Sequence, residues 1–151
     1  MDLMDSQIVE LLGRHVLINQ LLDAELEVAQ PVRDHGVDLI AYVDRGPKFA
    51  ARPIQFKACR HQGFSIAEKY ATFPDLLLAY VWNVEAHAKQ ETFAMSYQEA
   101  YGVAEEMGWT TTQSWQENHI YTTTAPGAKL CGLLERYSMT CDKWWQAVTR
   151  A

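Results

Sequence analysis

Between Gly36 and Ala58 the chain reads GVDLIAYVDRGPKFAARPIQFKA, two runs of alternating character joined by a basic loop. Alternation with a period of two sends successive side chains to opposite faces of a strand. A one-residue slip would turn every apolar side chain away from the core, so such a pattern fixes how the segment can be used. In RPIQFKA, Ile54 and Phe56 point inward, while Gln55 and Lys57 share the other face. A hairpin turning near Pro47-Lys48 has equal numbers of residues on either side and sets Asp38 opposite Lys57. Cross-strand neighbours of that kind have Cβ atoms about 5 Å apart. An acid, an amide and an amine on one face are the minimum set for holding a divalent metal and a phosphate. Carboxylate and amide oxygens suit a hard cation such as Mg²⁺, and a lysine beside them steadies developing negative charge or activates a water.

This constellation resembles the PD-(D/E)XK nuclease superfamily, the restriction-endonuclease-like fold. It is most similar to the small members built near the minimal core, such as Holliday-junction resolvases and the rare homing endonucleases of this fold. The order of elements agrees along most of the chain: a leading helix, a strand, the Asp strand, the (D/E)-x-K strand, then a helix and another strand. The resemblance implies that Asp38 is the first-motif aspartate, that Gln55 stands at the second acid, that Phe56 supplies the metal-binding carbonyl and that Lys57 is the motif lysine. It further implies Mg²⁺ or Mn²⁺ as cofactor, no nucleotide cofactor, and hydrolysis of phosphodiester bonds in DNA. Duplex cleavage needs a second copy of the site, so a homo-dimer or tetramer is expected.

Three positions depart from the family pattern. Val37 replaces the proline of the motif name, and Gln55 replaces an acid by an amide that brings no negative charge to a metal. Many members carry a glutamate in the leading helix a few residues after a glycine; here Gly13 is followed by Arg14, His15, Val16 and Leu17. The acids at hand are Glu10, one turn earlier, and Glu25 and Glu27 near the end of the segment. Glu10 is the candidate replacement, as it lies on a helix whose apolar stripe should face the sheet.

At 151 residues the chain suits one domain, residues 1–151, with a real core. Its 48% hydrophobic and 21% charged residues are ordinary for a soluble globular protein. No apolar run approaches the roughly 20 residues of a membrane span, so no membrane partner is expected. The acidic opening MDLMDSQ has no cleavable apolar segment behind it, and the expected location is the cytoplasm. Cys59, Cys131 and Cys141 show no C-x-x-C spacing, which argues against a disulfide framework and a zinc ribbon. His15, His35, His61, His87 and His119 are scattered. Neither a glycine-rich phosphate loop nor a G-x-S-x-G elbow is present.

The net charge of −6 is unusual for a nucleic-acid binder, but its distribution is uneven. Residues 45 to 69 hold Arg45, Lys48, Arg52, Lys57, Arg60 and Lys69 against Glu68 alone, a local +5 that leaves −11 for the rest. Phosphate binding depends on where cations sit, which makes Arg45, Lys48, Arg52, Arg60 and Lys69 the candidate DNA contacts.

Along the chain, Asp5 or Ser6 caps a helix running to about Leu22, with Ile8, Leu11, Leu12, His15, Val16, Asn19 and Leu22 on one face; Leu17, Ile18 and Leu21 widen that stripe, so burial on more than one side is expected. Leu26–Pro31 fits a first strand. A short helix is expected around Ile66 to Tyr70, a buried strand over Leu76 to Val84, and a partner strand over Thr92 to Tyr97. A helix through Met107 stops at Gly108. The stretch Trp109 to Gly127 reads as irregular with a short strand at HIYTT, followed by helices over Ala128–Tyr137 and Thr140–Thr149. Trp144 and Trp145 read as core or subunit contacts. The expected fold class is α/β or α+β, a mixed sheet flanked by helices. Three functions compete: a Mg²⁺-dependent DNA endonuclease; a nuclease-like fold without chemistry that binds nucleic acid or protein; and a different enzyme or small-molecule binder built on Trp109 to Tyr121.

Overall fold

A computed structural model of the chain describes residues 5–85 and 88–150. The first four residues of MDLMDSQ, and His87 in the connection after the buried strand, therefore lie outside the described residues. The fold is α+β. Helix α1 (Ser6–Asp23) leads into strands β1 (Glu27–Ala29), β2 (Leu39–Arg45) and β3 (Lys48–Ala58). Next come β4 (Phe64–Ala67), a 3₁₀ segment (Glu68–Thr72), β5 (Leu77–Trp82), β6 (Glu91–Ser96) and α2 (Tyr97–Glu106). A 3₁₀ turn (Trp109–Thr111), α3 (Gln113–Asn118), β7 (Ile120–Thr123), α4 (Ala128–Leu134), a further 3₁₀ turn (Glu135–Tyr137) and α5 (Cys141–Thr149) complete it.

Five strands form one sheet in the order β1-β2-β3-β5-β6, and β4 pairs with β7 in a separate ribbon. Only the β3–β5 pair is parallel. Every residue of β5 is buried, because the sheet is covered on both faces, as central strands with crossover connections require. Leu77, Ala79 and Val81 join Ile54 and Phe56 under α1 and α5. Leu78, Tyr80 and Trp82 join Phe93 and Met95 under α2, α4 and the β4–β7 ribbon. Trp144 is a core residue of the first face, as the sequence suggested.

Local chemistry explains most boundaries. The Asp5 carboxylate accepts the Ile8 N–H and starts α1. Ser96 and Glu99 form a reciprocal capping box at α2, and Thr140 caps α5 through the Lys143 N–H.

Four expectations are corrected. The β2–β3 register runs from Arg45↔Lys48 to Leu39↔Ile54, so the turn consists of Gly46 and Pro47. Continued by one step, it sets Asp38 against Gln55, two residues short of Lys57. The reason is steric: two-residue hairpin turns need a positive φ at their first position. Gly46 provides it at +65°, whereas proline is locked near −65° and cannot. The expected helix at Ile66 to Tyr70 is instead β4 followed by the 3₁₀ segment, with Phe64 and Ile66 buried in strand alternation. Residues 109–127 contain one more helix than expected, α3, capped by Thr112 and burying Trp115. Of the wide apolar stripe expected on α1, Leu17 and Leu21 are buried together with Gly13, whereas Ile8, Leu11 and Leu22 are exposed. A helix apolar on several sides leaves its orientation to tertiary contact, and Gly13 decides it. A Cβ on Gly13 would lie 2.3 Å from the Ala58 Cβ, so α1 crosses the end of β3 at its one side-chain-free position.

Gly13→Ala separates two opposing effects. Helix propensity alone would stabilise by about 1 kcal/mol, but the methyl group forces α1 off β3 at a typical overpacking cost of about 1–3 kcal/mol. The expected result is a net loss of stability, measured as a lower urea midpoint with an unchanged m-value.

Candidate functional site

Strand β3 changes partners at Ile54. From Lys48 to Ile54 it pairs with β2, and from Ile54 to Ala58 it pairs with β5 on its other side. The β2 ladder ends there, and Asp38 takes over the vacated edge. Its N–H donates to the Ile54 carbonyl at 2.9 Å, and its carboxylate Oδ2 accepts the Phe56 N–H at 3.0 Å. The Phe56 carbonyl projects from the same edge of the strand as that N–H. Asp38 is thereby held against the β3 backbone at the residue between Gln55 and Lys57. The Gln55 Oε1 atom is buried and has no hydrogen-bond partner, which is uncommon for a buried polar atom and calls for a reason. The Lys57 side chain is exposed, with Nζ 3.4 Å from Ser65 Oγ.

Burial pushes the Asp38 carboxyl above its usual value; the Phe56 N–H opposes that, Asp34 adds to it, Arg14 opposes it, and Glu10 adds slightly. Arg14 is central to this end of the molecule. Its guanidinium donates to Glu10 Oε1 (2.9 Å), to Gln30 Oε1 (3.3 Å) and to the Asp38 carbonyl (3.4 Å), and lies over the Phe56 ring. Glu10, the candidate replacement acid, is 56% exposed and paired to Arg14. It reaches Asp38 through Arg14 and through its field. Sequence reasoning singled out neither Arg14 nor Asp34, whose charge acts on Asp38 more strongly than that of Glu10.

Beyond Gln55 and Lys57 lies a cavity of about 260 Å³. One wall is β3 and β5, with Gln55, Lys57, Leu78 and Tyr80; the other is β4, the 3₁₀ segment and β7. Tyr80 holds the walls together by donating its hydroxyl to the Ser65 carbonyl at 2.6 Å. Complete burial drives the Tyr80 phenol far above its usual range, so it stays a neutral donor. Trp82 Nε1 ties the same ribbon at the Gly63 carbonyl, 2.7 Å away. The signal for this wall was the alternation in FSIA, masked by the helix-compatible residues after it.

The candidate DNA contacts are dispersed. Lys69 lines the cavity, with Nζ over the Tyr70 ring. Arg45 sits between Glu25 and the Trp145 ring. Arg52 donates to the carbonyls of Asp75 and Ala147, each at 2.9 Å, and Arg60 pairs with Glu85. Lys48 is exposed at the hairpin tip. Only Lys69 therefore joins Lys57 at the cavity.

Compared with known proteins, the chain matches no family model, no curated protein and no solved structure at a significant level. Among the described residues no three His, Cys, Asp or Glu side chains cluster as a metal site. The oxygen donors at the end of β3 are thus mixed: one carboxylate, one side-chain amide and one backbone carbonyl. Hard cations accept all three types, and the buried Gln55 oxygen has no hydrogen-bond partner that would compete for it. Among the described residues no helix is long and apolar enough to cross a membrane.

A raised carboxyl pKa means that ionised Asp38 opposes folding. Its favourable contribution is present below the unfolded value of 3.8 and is lost as pH rises through the higher native value. Asp38→Asn keeps an oxygen for the Phe56 N–H but carries no charge. The variant should match or exceed wild type in urea stability at about pH 7 and lose part of the advantage at about pH 4. A clear loss of stability at neutral pH would make Asp38 a structural ion instead.

Proposed function

We propose that the chain is a Mg²⁺- or Mn²⁺-dependent phosphodiesterase acting on DNA, of the PD-(D/E)XK type. The observation that carries this reading is the buried, unpartnered Gln55 Oε1, with the Asp38 carboxylate fixed at the neighbouring residue of β3. Asp38, Gln55 and the Phe56 carbonyl would hold the ion. When bound, it would polarise the phosphate and lower the pKa of a water. The Phe56 N–H anchors one carboxylate oxygen of Asp38, and the second oxygen would be the one offered to the ion. Lys57, exposed at the cavity and lightly tethered to Ser65, would orient the attacking water and meet charge developing on the phosphate. Burial keeps Cys59 a thiol and Tyr80 a phenol, so neither would supply an anionic group beside Lys57. Glu10 would act through its field on the ion and on Arg14. A homo-dimer or tetramer would cut both strands of a duplex.

The pairing of Glu10 with Arg14 favours a second reading, a nuclease-like fold without chemistry that binds nucleic acid or protein. The two separate on cleavage of supercoiled plasmid and branched DNA. The nuclease reading expects nicking or cutting with either metal and a loss of about 10²–10³ in rate for Lys57→Ala, the fold being unchanged by circular dichroism. Gln55→Glu restores an acid and should tighten metal binding while keeping or raising the activity. Asp38→Asn should weaken metal binding first, so that excess metal partly restores the rate. No cleavage by wild type in either metal would favour the second reading, and equal rates for wild type and Lys57→Ala would place the activity elsewhere.

A further inference from the structure

Among the described residues, the cavity next to Gln55 and Lys57 is lined by two lysines, Lys57 and Lys69, and by no carboxylate. Tyr70, whose ring lies under the Lys69 ammonium, Ser65, Thr122 and an apolar surface that includes Ile66, Leu78 and Ile120 also line it. Cationic and hydroxyl groups suit a phosphate and a sugar. A ring and branched aliphatics suit a flat heterocycle, and base-on-aromatic stacking is how single-stranded nucleic acids are commonly held. At about 260 Å³ the space lies just below the roughly 300–1,000 Å³ of ordinary small-molecule sites. That is the scale of one nucleotide and far too small for a duplex. The basic surface that a duplex would need is not gathered around it, since Arg45, Arg52 and Arg60 are engaged within the protein elsewhere.

We infer that this cavity binds one unpaired nucleotide of a DNA strand, its phosphate between Lys57 and Lys69 and its base against Tyr70 and Ile120. The inference rests on the proposed function for the identity of the polymer, and narrows it. The chain engages single-stranded ends, gaps or branch points, where a base is already free, in preference to continuous duplex. Extrusion of a paired base costs a few kcal/mol of unstacking and unpairing, and the site avoids that cost by choosing unpaired DNA. The β4–β7 ribbon and the 3₁₀ segment act as the specificity element, because they form the wall opposite the β3–β5 surface.

The test is equilibrium binding of the full chain to a labelled single-stranded oligonucleotide in excess chelator, read by fluorescence anisotropy. A blunt duplex of the same sequence is run beside it, with a deoxynucleoside 5′-monophosphate, the deoxynucleoside and inorganic phosphate as competitors. The single strand should bind about tenfold or more tightly than the duplex, and the monophosphate should compete better than the nucleoside or phosphate alone. Lys69→Ala and Ile120→Glu should each weaken single-strand binding about tenfold. Both positions are exposed, so both variants should keep the wild-type fold, and Ile120→Glu places a repelling carboxylate at the cavity. Duplex binding equal to single-strand binding, wild-type affinity in both variants, or no binding of either DNA would overturn the inference. Competition by inorganic phosphate equal to that of the monophosphate would reduce the cavity to an anion site and overturn it as well. The measurement needs no metal, so it stands whether or not the chain cleaves DNA.

Discussion

The change of partner along β3 at Ile54 is the constraint on which the rest of the molecule depends. An eleven-residue strand that paired with β2 along its full length would have no edge left beside Phe56. Because β2 begins at Leu39, the last residues of β3 are supported by β5 on one side and by a single side chain on the other. A backbone N–H left without a partner in a half-buried place costs about as much as a lost hydrogen bond. Asp38 prevents that cost at Phe56. The same carboxylate that completes the ladder is the one proposed above to hold a metal ion.

The offset also explains why both helical layers are needed. Ile54 and Phe56 face α1 and α5, and the close contact of Gly13 with Ala58 sets α1 across the strand end. Gln55 and Lys57 face the other way, toward Ser65 and the ribbon. A strand between two such layers presents alternating residues to two unlike surroundings. On one side apolar side chains fill a core, and on the other an amide and an ammonium line a cavity. Moving α1 outward would loosen Phe56, whose N–H and ring anchor Asp38 and Arg14 respectively. The packing of α1 thus fixes the geometry of the polar groups at the end of β3, through Phe56 and directly through the Arg14 contact with the Asp38 carbonyl.

What was legible in the sequence was local. The two-residue period gave β2, β3 and the shared face of Gln55 and Lys57, and residue type placed the α1 cap at Asp5 or Ser6 and the start of the last helix at Thr140. The turn falls one residue earlier than equal flanks predict, because Gly46 supplies the positive φ that Pro47 cannot; parity is unchanged, so Asp38 keeps the face of Gln55. What depends on distant pairing was not legible. FSIAEKY carries no sign that it will meet IYTT some fifty residues later, yet that pairing builds the far wall of the cavity. The basic run from Arg45 to Lys69 looked like one surface, but adjacent places in sequence became separate places in space. Arg52 in particular spends its donors on backbone carbonyls at two chain segments.

The distribution of charge around the end of β3 follows from these placements and has its own consequence. Glu10, Asp34 and Asp38 lie toward α1 and the turn before β2, with Arg14 among them; Lys57 and Lys69 lie at the cavity. The field therefore runs from acid to base across a few residues of one strand. A cation is drawn to the first side and an anion to the second, and the Gln55 oxygen sits between the two. Arg14 weakens the acidic side, since its positive charge faces a site with a single directly placed carboxylate. An added acid at Gln55 would bring negative charge to a position where the amide now brings none. The total charge of −6 is no obstacle to an anionic ligand in this arrangement. Over the few ångströms that matter, beneath a Debye length of about 8 Å at physiological salt, the cavity senses its two lysines more than the acids spread over the rest of the surface.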